Sequence, residues 1–190
     1  MTPGGPWRAC FELAWASFVA GSIPVGAVLV APGGDIVARG RNRRAEPGGS
    51  NIAHAEIGAL LHLPPGHYPE HILYSTLEPC LLCTAAIRHS HVGTARFAAP
   101  DPMWRGVEGV PALNAHLARG WPRLEGPQGG PLETFSSVMH LTAALERDAG
   151  WLLSAYDGSP ALATARRFTA AGLRSLSFDE AWAVVTTPGE

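Results

Sequence analysis

No lysine occurs anywhere in the 190 residues, so all fourteen basic side chains are arginine. Charged residues make up only 16% of the chain, and sixteen acids against those arginines leave a net charge of −2. Dividing the chain at Val110 leaves eight Arg against eight acids before it and six against eight after it. Neither half is the basic platform that grips nucleic-acid phosphates. Cysteine is scarce: three residues, an odd number, which points away from paired disulfides and toward thiolate chemistry. No apolar run reaches the ~18 residues of a membrane-spanning helix. The first residues also lack a charged leader followed by a long apolar stretch and a cleavage site, so a cytoplasmic protein is expected, with no membrane partner. Apolar residues at 46% exclude wholesale disorder, and the length suffices to bury a core without disulfide support.

The pattern along the chain alternates. Trp7, Phe11, Ala14, Trp15 and Phe18 recur at helical spacing, which predicts an amphipathic helix over 7–20. Val25 to Ala31 is a short apolar run suited to a buried strand, and Pro32-Gly33-Gly34-Asp35 turns it back into a second strand over Ile36–Gly40. A helix is expected over 52–62 with Ser50 or Asn51 as its cap, then a strand over 71–75, a helix over 81–89 and a strand over 94–99. Strands alternating with short helices predict a three-layer α/β/α sandwich that ends near Asp101, within a core of residues 1–110.

Residues 111–190 read differently, as a helical C-terminal extension packed on that core in the same domain. Met103 to Gly130 is rich in Gly, Pro and Trp and is expected to be mostly loop, with a short helix near 112–118. Leu132 to Asp148 predicts a helix with one buried stripe. Ser159-Pro160 opens another that Gly172 would end, and Ser177 to Glu180 form a capping box before a last helix through Val185.

Chemistry concentrates in His54-Ala55-Glu56 and Pro79-Cys80-Leu81-Leu82-Cys83. A Cys-x-x-Cys turn brings two sulfurs within reach of one ion, and a helix opening there favours the thiolate form. His54 supplies a third, nitrogen ligand, and sulfur with imidazole suits Zn²⁺. Cys10 lies on the apolar first helix and is not available as a fourth ligand. Three protein ligands leave one tetrahedral position for water, whose pKa zinc lowers to about 7. Glu56, two residues from His54, is placed to accept that proton. A Cys-x-x-Cys alone also fits a redox pair or half of a structural zinc site, but the two elements together favour catalysis.

These residues resemble the cytidine deaminase-like superfamily, whose H-x-E and P-C-x-x-C signature they meet in full. The resemblance runs from about Trp7 to Asp101 and is nearest the branch of tRNA adenosine deaminases and guanine deaminases. It includes Pro24 to Val30, Arg41-Asn42-Arg43, Thr76-Leu77-Glu78 and the Ser90-His91-Val92-Gly93 turn. It implies a mixed five-stranded sheet between helices, a homodimer as the usual assembly, and hydrolytic loss of an exocyclic amine as ammonia. It also implies zinc on His54, Cys80 and Cys83, and Glu56 as catalytic proton shuttle. Asn42 falls where the family places a substrate-contacting asparagine, although a loop Asn capping its own turn is the plain alternative. The backbone around Ala55 would help hold the attacked ring. Trp104, after Asp101, could stack on a flat base or simply pack.

Beyond Asp101 the chain departs from the tRNA-deaminase pattern, and its extension carries an acidic excess. The expected substrate is therefore a free nucleobase or nucleoside, with tRNA disfavoured. Arg39, Arg41, Arg43 and Arg44 keep the RNA alternative open. A catalytically silent, zinc-stabilised binding module is the competitor from another class, and the intact Glu56 argues against it.

Overall fold

The computed structural model describes residues 2–187. Elements follow in the order α1 (Gly5–Val19), β1 (Gly26–Val30), β2 (Ile36–Arg41), α2 (Ala55–Leu60), β3 (Tyr68–Leu77), α3 (Leu81–His89) and β4 (Val92–Ala99). Then come α4 (Ala115–Ala118), β5 (Arg123–Glu125), α5 (Gly130–Glu146), α6 (Gly150–Leu153), α7 (Pro160–Ala165), α8 (Ala170–Arg174) and α9 (Phe178–Thr186). No helix among the described residues is long and apolar enough to cross a membrane.

The five strands form one mixed sheet in the order β2-β1-β3-β4-β5. β1 pairs antiparallel with β2 and β3, while β3, β4 and β5 run parallel. Alternation along β3 sorts its side chains: Leu73 and Leu77 join the core under α2 and α3. On the other face α1 and α5 cover the sheet, and Phe11, Phe18, Phe135, Met139 and Trp182 form the larger core. Aromatic rings hold that core in edge and tilted contacts, with Phe11 at 5.7 Å from Phe135 and 5.3 Å from Trp182. The sandwich and its five-stranded sheet are as expected.

Two glycines let helices lie against the sheet. A Cβ at Gly26 would fall 2.1 Å from the Cys10 carbonyl, and one at Gly40 would fall 2.1 Å from the Ala55 carbonyl. Gly40 therefore draws the end of β2 onto the start of α2, where the histidine and glutamate lie.

Several elements differ from expectation. The helix expected from Ile52 begins only at Ala55, and its cap position is His54, whose side chain makes no capping bond. Ser50 accepts instead from the Ile52 N–H in a tight turn. The helix from Ser159 stops at Ala165, because Thr169 caps a separate helix by accepting from the Gly172 N–H. The helix α5 has no single stripe: every residue from Phe135 to Ala144 is buried. It lies between β3 and β4 on one side and α7 and α9 on the other, so each of its faces meets protein. The short β5 lies in a segment read as loop. It pairs with the free edge of β4, and Arg96 of β4 binds Glu125 at 2.6 Å and donates to the Tyr74 hydroxyl at 2.9 Å.

Candidate metal centre and active site

The site forms at the C-terminal end of β3, between the first turns of α2 and α3. His54 holds an extended backbone at the cap position of α2, which leaves its imidazole free to face the sulfurs. Cys80 is the cap of α3, and its sulfur accepts from the Cys83 N–H at 3.5 Å. Thr84 locks this turn by donating its hydroxyl to the Cys80 carbonyl at 3.0 Å.

His54 Nδ1 lies 3.6 Å from Cys80 Sγ and 3.3 Å from Cys83 Sγ. The three ligand atoms lie within 4.8 Å of one another, and they form the group of this kind found among the described residues. A tetrahedral zinc, with N at about 2.0–2.1 Å and S at about 2.3 Å, separates such donors by roughly 3.5 Å. Soft sulfur with imidazole suits this ion, so the residues present fit zinc. Cys10 is not part of the group: fully buried, it donates its thiol weakly to the Tyr74 carbonyl at 3.5 Å.

Electrostatics prepares the sulfurs. The hydrogen bond from Cys83, with a further contribution from His54, pulls the Cys80 thiol down to about 4, whereas that bond and burial push Cys83 up. Contact with Cys80 raises the pKa of His54. Glu56 is only 3% exposed, and burial raises its pKa. One of its carboxylate oxygens accepts from the Ser75 hydroxyl at 3.0 Å, and the other lies 3.3 Å from Cys83 Sγ. The carboxylate is thus fixed beside the donor set by a partner from the sheet.

The remaining candidates are less uniform. Asn42 is buried, and its Oδ1 accepts from the Ser22 hydroxyl at 2.9 Å and from the Arg44 N–H at 3.0 Å. The Arg44 bond is the self-capping turn anticipated as the plain alternative, and it leaves the amide NH₂ as the group able to donate to a ligand. Ala55 is fully buried, its carbonyl against Gly40. Trp104 ends a 3-10 turn over Pro102–Trp104 and is 40% exposed, away from the packed aromatic core. Sequence reasoning missed Ser75, Thr84 and Glu78. Glu78 accepts from the Asp101 N–H at 3.0 Å and ties the strand ends around the site together. Only the alternation of β3 could have pointed to Ser75, since it faces the side that α2 covers.

The mixed sheet thus carries a His-Cys-Cys donor set that fits zinc, with a buried carboxylate beside it. Residues 7–99 match the family model described as the cytidine and deoxycytidylate deaminase zinc-binding region. The tRNA-specific adenosine deaminase of Rickettsia bellii is 31% identical over 106 residues, covering 53% of this chain and 72% of that protein. The enzyme of the same name from Haemophilus influenzae is 39% identical over 50% of this chain and 56% of its own length. A structure from a study of A-to-I editing by tRNA:A34 deaminases superposes with a TM-score of 0.55 at 31% identity, over 63% of this chain and 95% of that one. The chain belongs to this zinc-binding deaminase family. It spans only 19 to 58% of the length of the first four curated relatives it matches.

Proposed function

We propose that this protein hydrolytically deaminates a small aminated nucleobase, nucleoside or related heterocycle, releasing ammonia. The observation that carries the reading is Glu56: a buried carboxylate, held by Ser75 and lying 3.3 Å from a zinc-ligand sulfur, where a purely structural metal site needs no proton acceptor. His54, Cys80 and Cys83 would hold the zinc. When bound, it would act as a Lewis acid that makes water a competent nucleophile near neutral pH. Glu56 takes the proton from water, delivers it to the ring nitrogen, and then assists the departing amine. Burial raises its proton affinity toward the working pH, as a shuttle requires. The Asn42 amide donates to the ring, the Ala55 backbone lines the cleft, and Trp104 offers a face for stacking.

The substrate class rests on charge. Of the four arginines near Asn42, Arg41 and Arg43 both pair with Glu46, and Arg44 binds Asn51 at 3.2 Å. Glu46 thus offsets one of the four positive charges, and the small-substrate reading leans on the acidic excess of residues 111–190. The second reading, tRNA adenosine deamination, is favoured by the names of the relatives above. Reduced thiolate ligands support a cytoplasmic location. Exposed Leu81 and Leu82 on α3, with Ile52 and Leu61 flanking α2, support a homodimer that covers them. The buried cross-packing of α5 supports residues 1–110 and 111–190 as parts of one domain.

An ammonia-release screen over adenine, guanine, cytosine, their nucleosides and an anticodon stem-loop, at low and moderate salt, decides between the readings. Turnover of a base or nucleoside with little salt dependence is expected. Salt-sensitive inosine formation in the stem-loop alone would replace this reading with the second.

A further inference from the structure

Six of the eight histidines gather at the end of the sheet remote from the zinc donors: His62, His67, His71, His89, His91 and His116. Four of them line a cavity of about 430 Å³ together with Arg88, Arg119 and Trp121, and no Asp or Glu is among its lining residues. It is built where β3 and β4 begin. A Cβ at Gly93 would fall 1.9 Å from the Pro69 carbonyl, so glycine lets the two strands close. His91 turns the chain into β4 with φ of 55°, a left-handed conformation that histidine tolerates better than most residues. Arg88 is pinned from across the cavity by donating to the His116 carbonyl at 2.6 Å.

The wall is short of acceptors. Arg88 Nε and Trp121 Nε1 are both buried without a hydrogen-bond partner. Arg88 and His89 sit in the last turn of α3, where cations offset the exposed carbonyls. His116 and Arg119 stand likewise at the C-terminal end of α4, but that role does not account for His67 or His91. The imidazoles do not form a metal cluster, because no three of their nitrogens converge within the span found for His54, Cys80 and Cys83. They ring the cavity instead. Flat surfaces complete it: the His67 and His91 rings stack at 4.1 Å and 21°, and half-buried Trp121 lies opposite the strand starts.

We propose that this cavity is a second ligand site, which takes a small nucleotide. Its phosphate sits among Arg88, Arg119 and His116, and its base lies against Trp121 or the stacked imidazoles. Guanidinium groups without competing carboxylates select a phosphoryl oxyanion, and the volume lies within the range of small-molecule pockets. The site is distinct from the deaminase centre. Ten-residue β3 separates its start at Tyr68 from the Cys80 turn by about 30 Å. Along α3 the separation is shorter, about 14 Å of helix from Cys80 at its cap to His89 in its last turn. This inference does not depend on which base is deaminated.

The test follows histidine ring signals by NMR, assigned by single His→Gln substitutions, in the zinc-loaded protein. The probes are AMP, inorganic phosphate, adenosine and a short single-stranded RNA. AMP is expected to shift the His89, His91 and His116 signals, phosphate to do so more weakly, and adenosine to leave them unmoved. Arg119 is exposed and makes no side-chain hydrogen bond among the described residues. Arg119→Glu should therefore preserve fold, zinc content and turnover while weakening AMP binding about tenfold or more, and Arg119→Lys should retain most of it. Failure of millimolar AMP to move those signals would overturn the proposal. So would equal affinity in Arg119→Glu, or binding of the RNA without binding of AMP.

Discussion

Glu56 and the three zinc donors stand within three residues of a motif partner, and their chemistry depends on one added contact that spacing does not reveal. Ser75 holds one carboxylate oxygen of Glu56, leaving the other facing the Cys83 sulfur. Glu56→Gln is nearly isosteric and keeps the Ser75 bond, so fold and zinc content should persist. Activity should fall by the ~10²–10⁴ expected when one acid-base group is lost. Metal analysis and single-turnover assays on the same preparation check both halves. Near-wild-type turnover would remove Glu56 from the chemistry. At Gly40 the argument is steric. Gly40→Ala forces a methyl into the Ala55 carbonyl and should destabilise the fold by about 1–3 kcal/mol, the range for overpacking. Denaturant unfolding measures this. Because the clash pushes on the residue after His54, zinc affinity should drop with it.

Among the elements, legibility followed how local the cause was. His54, Glu56, Cys80 and Cys83 could be read because their relation is short-range and their types are chemically rare. The capping box of α9 was legible for the same reason: Ser177 and Glu180 settle it between themselves. β5 was not legible, since Arg123-Leu124-Glu125 becomes a strand only by docking on the edge of β4 and pairing Glu125 with Arg96. Nor was the full burial of α5, which depends on helices arriving later in the chain. That burial has a pH signature. His140 of α5 is 5% exposed, has neither ring nitrogen bonded, packs near Tyr156 and feels the Arg147 charge. Burial lowers its pKa to about 4 from 6.5. Between those values the unfolded chain binds a proton that the native chain does not, so stability falls as pH drops, by up to about 1.4 kcal/mol per unit. Asp101, raised by burial to about 6, acts in the opposite direction. It is common to both proteins, so it cancels when wild type is compared with His140→Leu. The variant should therefore gain on wild type between pH 7 and pH 5 in urea titrations. An unchanged difference would show that His140 is solvated or paired.

For the molecule as a whole, zinc joins segments that the backbone leaves apart, since His54 opens α2 and both cysteines belong to the start of α3. Binding to the native state alone adds about 2.7 kcal/mol at a free metal concentration of 100 times Kd. For a chain of this size that corresponds to a Tm shift of about 5–10 °C. Calorimetry before and after dialysis against a strong chelator should show that loss, with recovery on adding zinc. An unchanged Tm would mean that the donors do not hold the ion.

The aromatic contact between Phe11 and Trp182 has a consequence in time. A ribosome making roughly 5–20 residues per second needs on the order of 10–30 s to extend the chain from one to the other. Through that interval α1 is complete but its Phe11 ring has no Trp182 beside it, and Arg8 has neither Asp179 to pair with nor the Phe178 ring beneath it. The nascent protein therefore carries an apolar helix face that waits for α9 to close it, and a holdase chaperone would find a binding surface there.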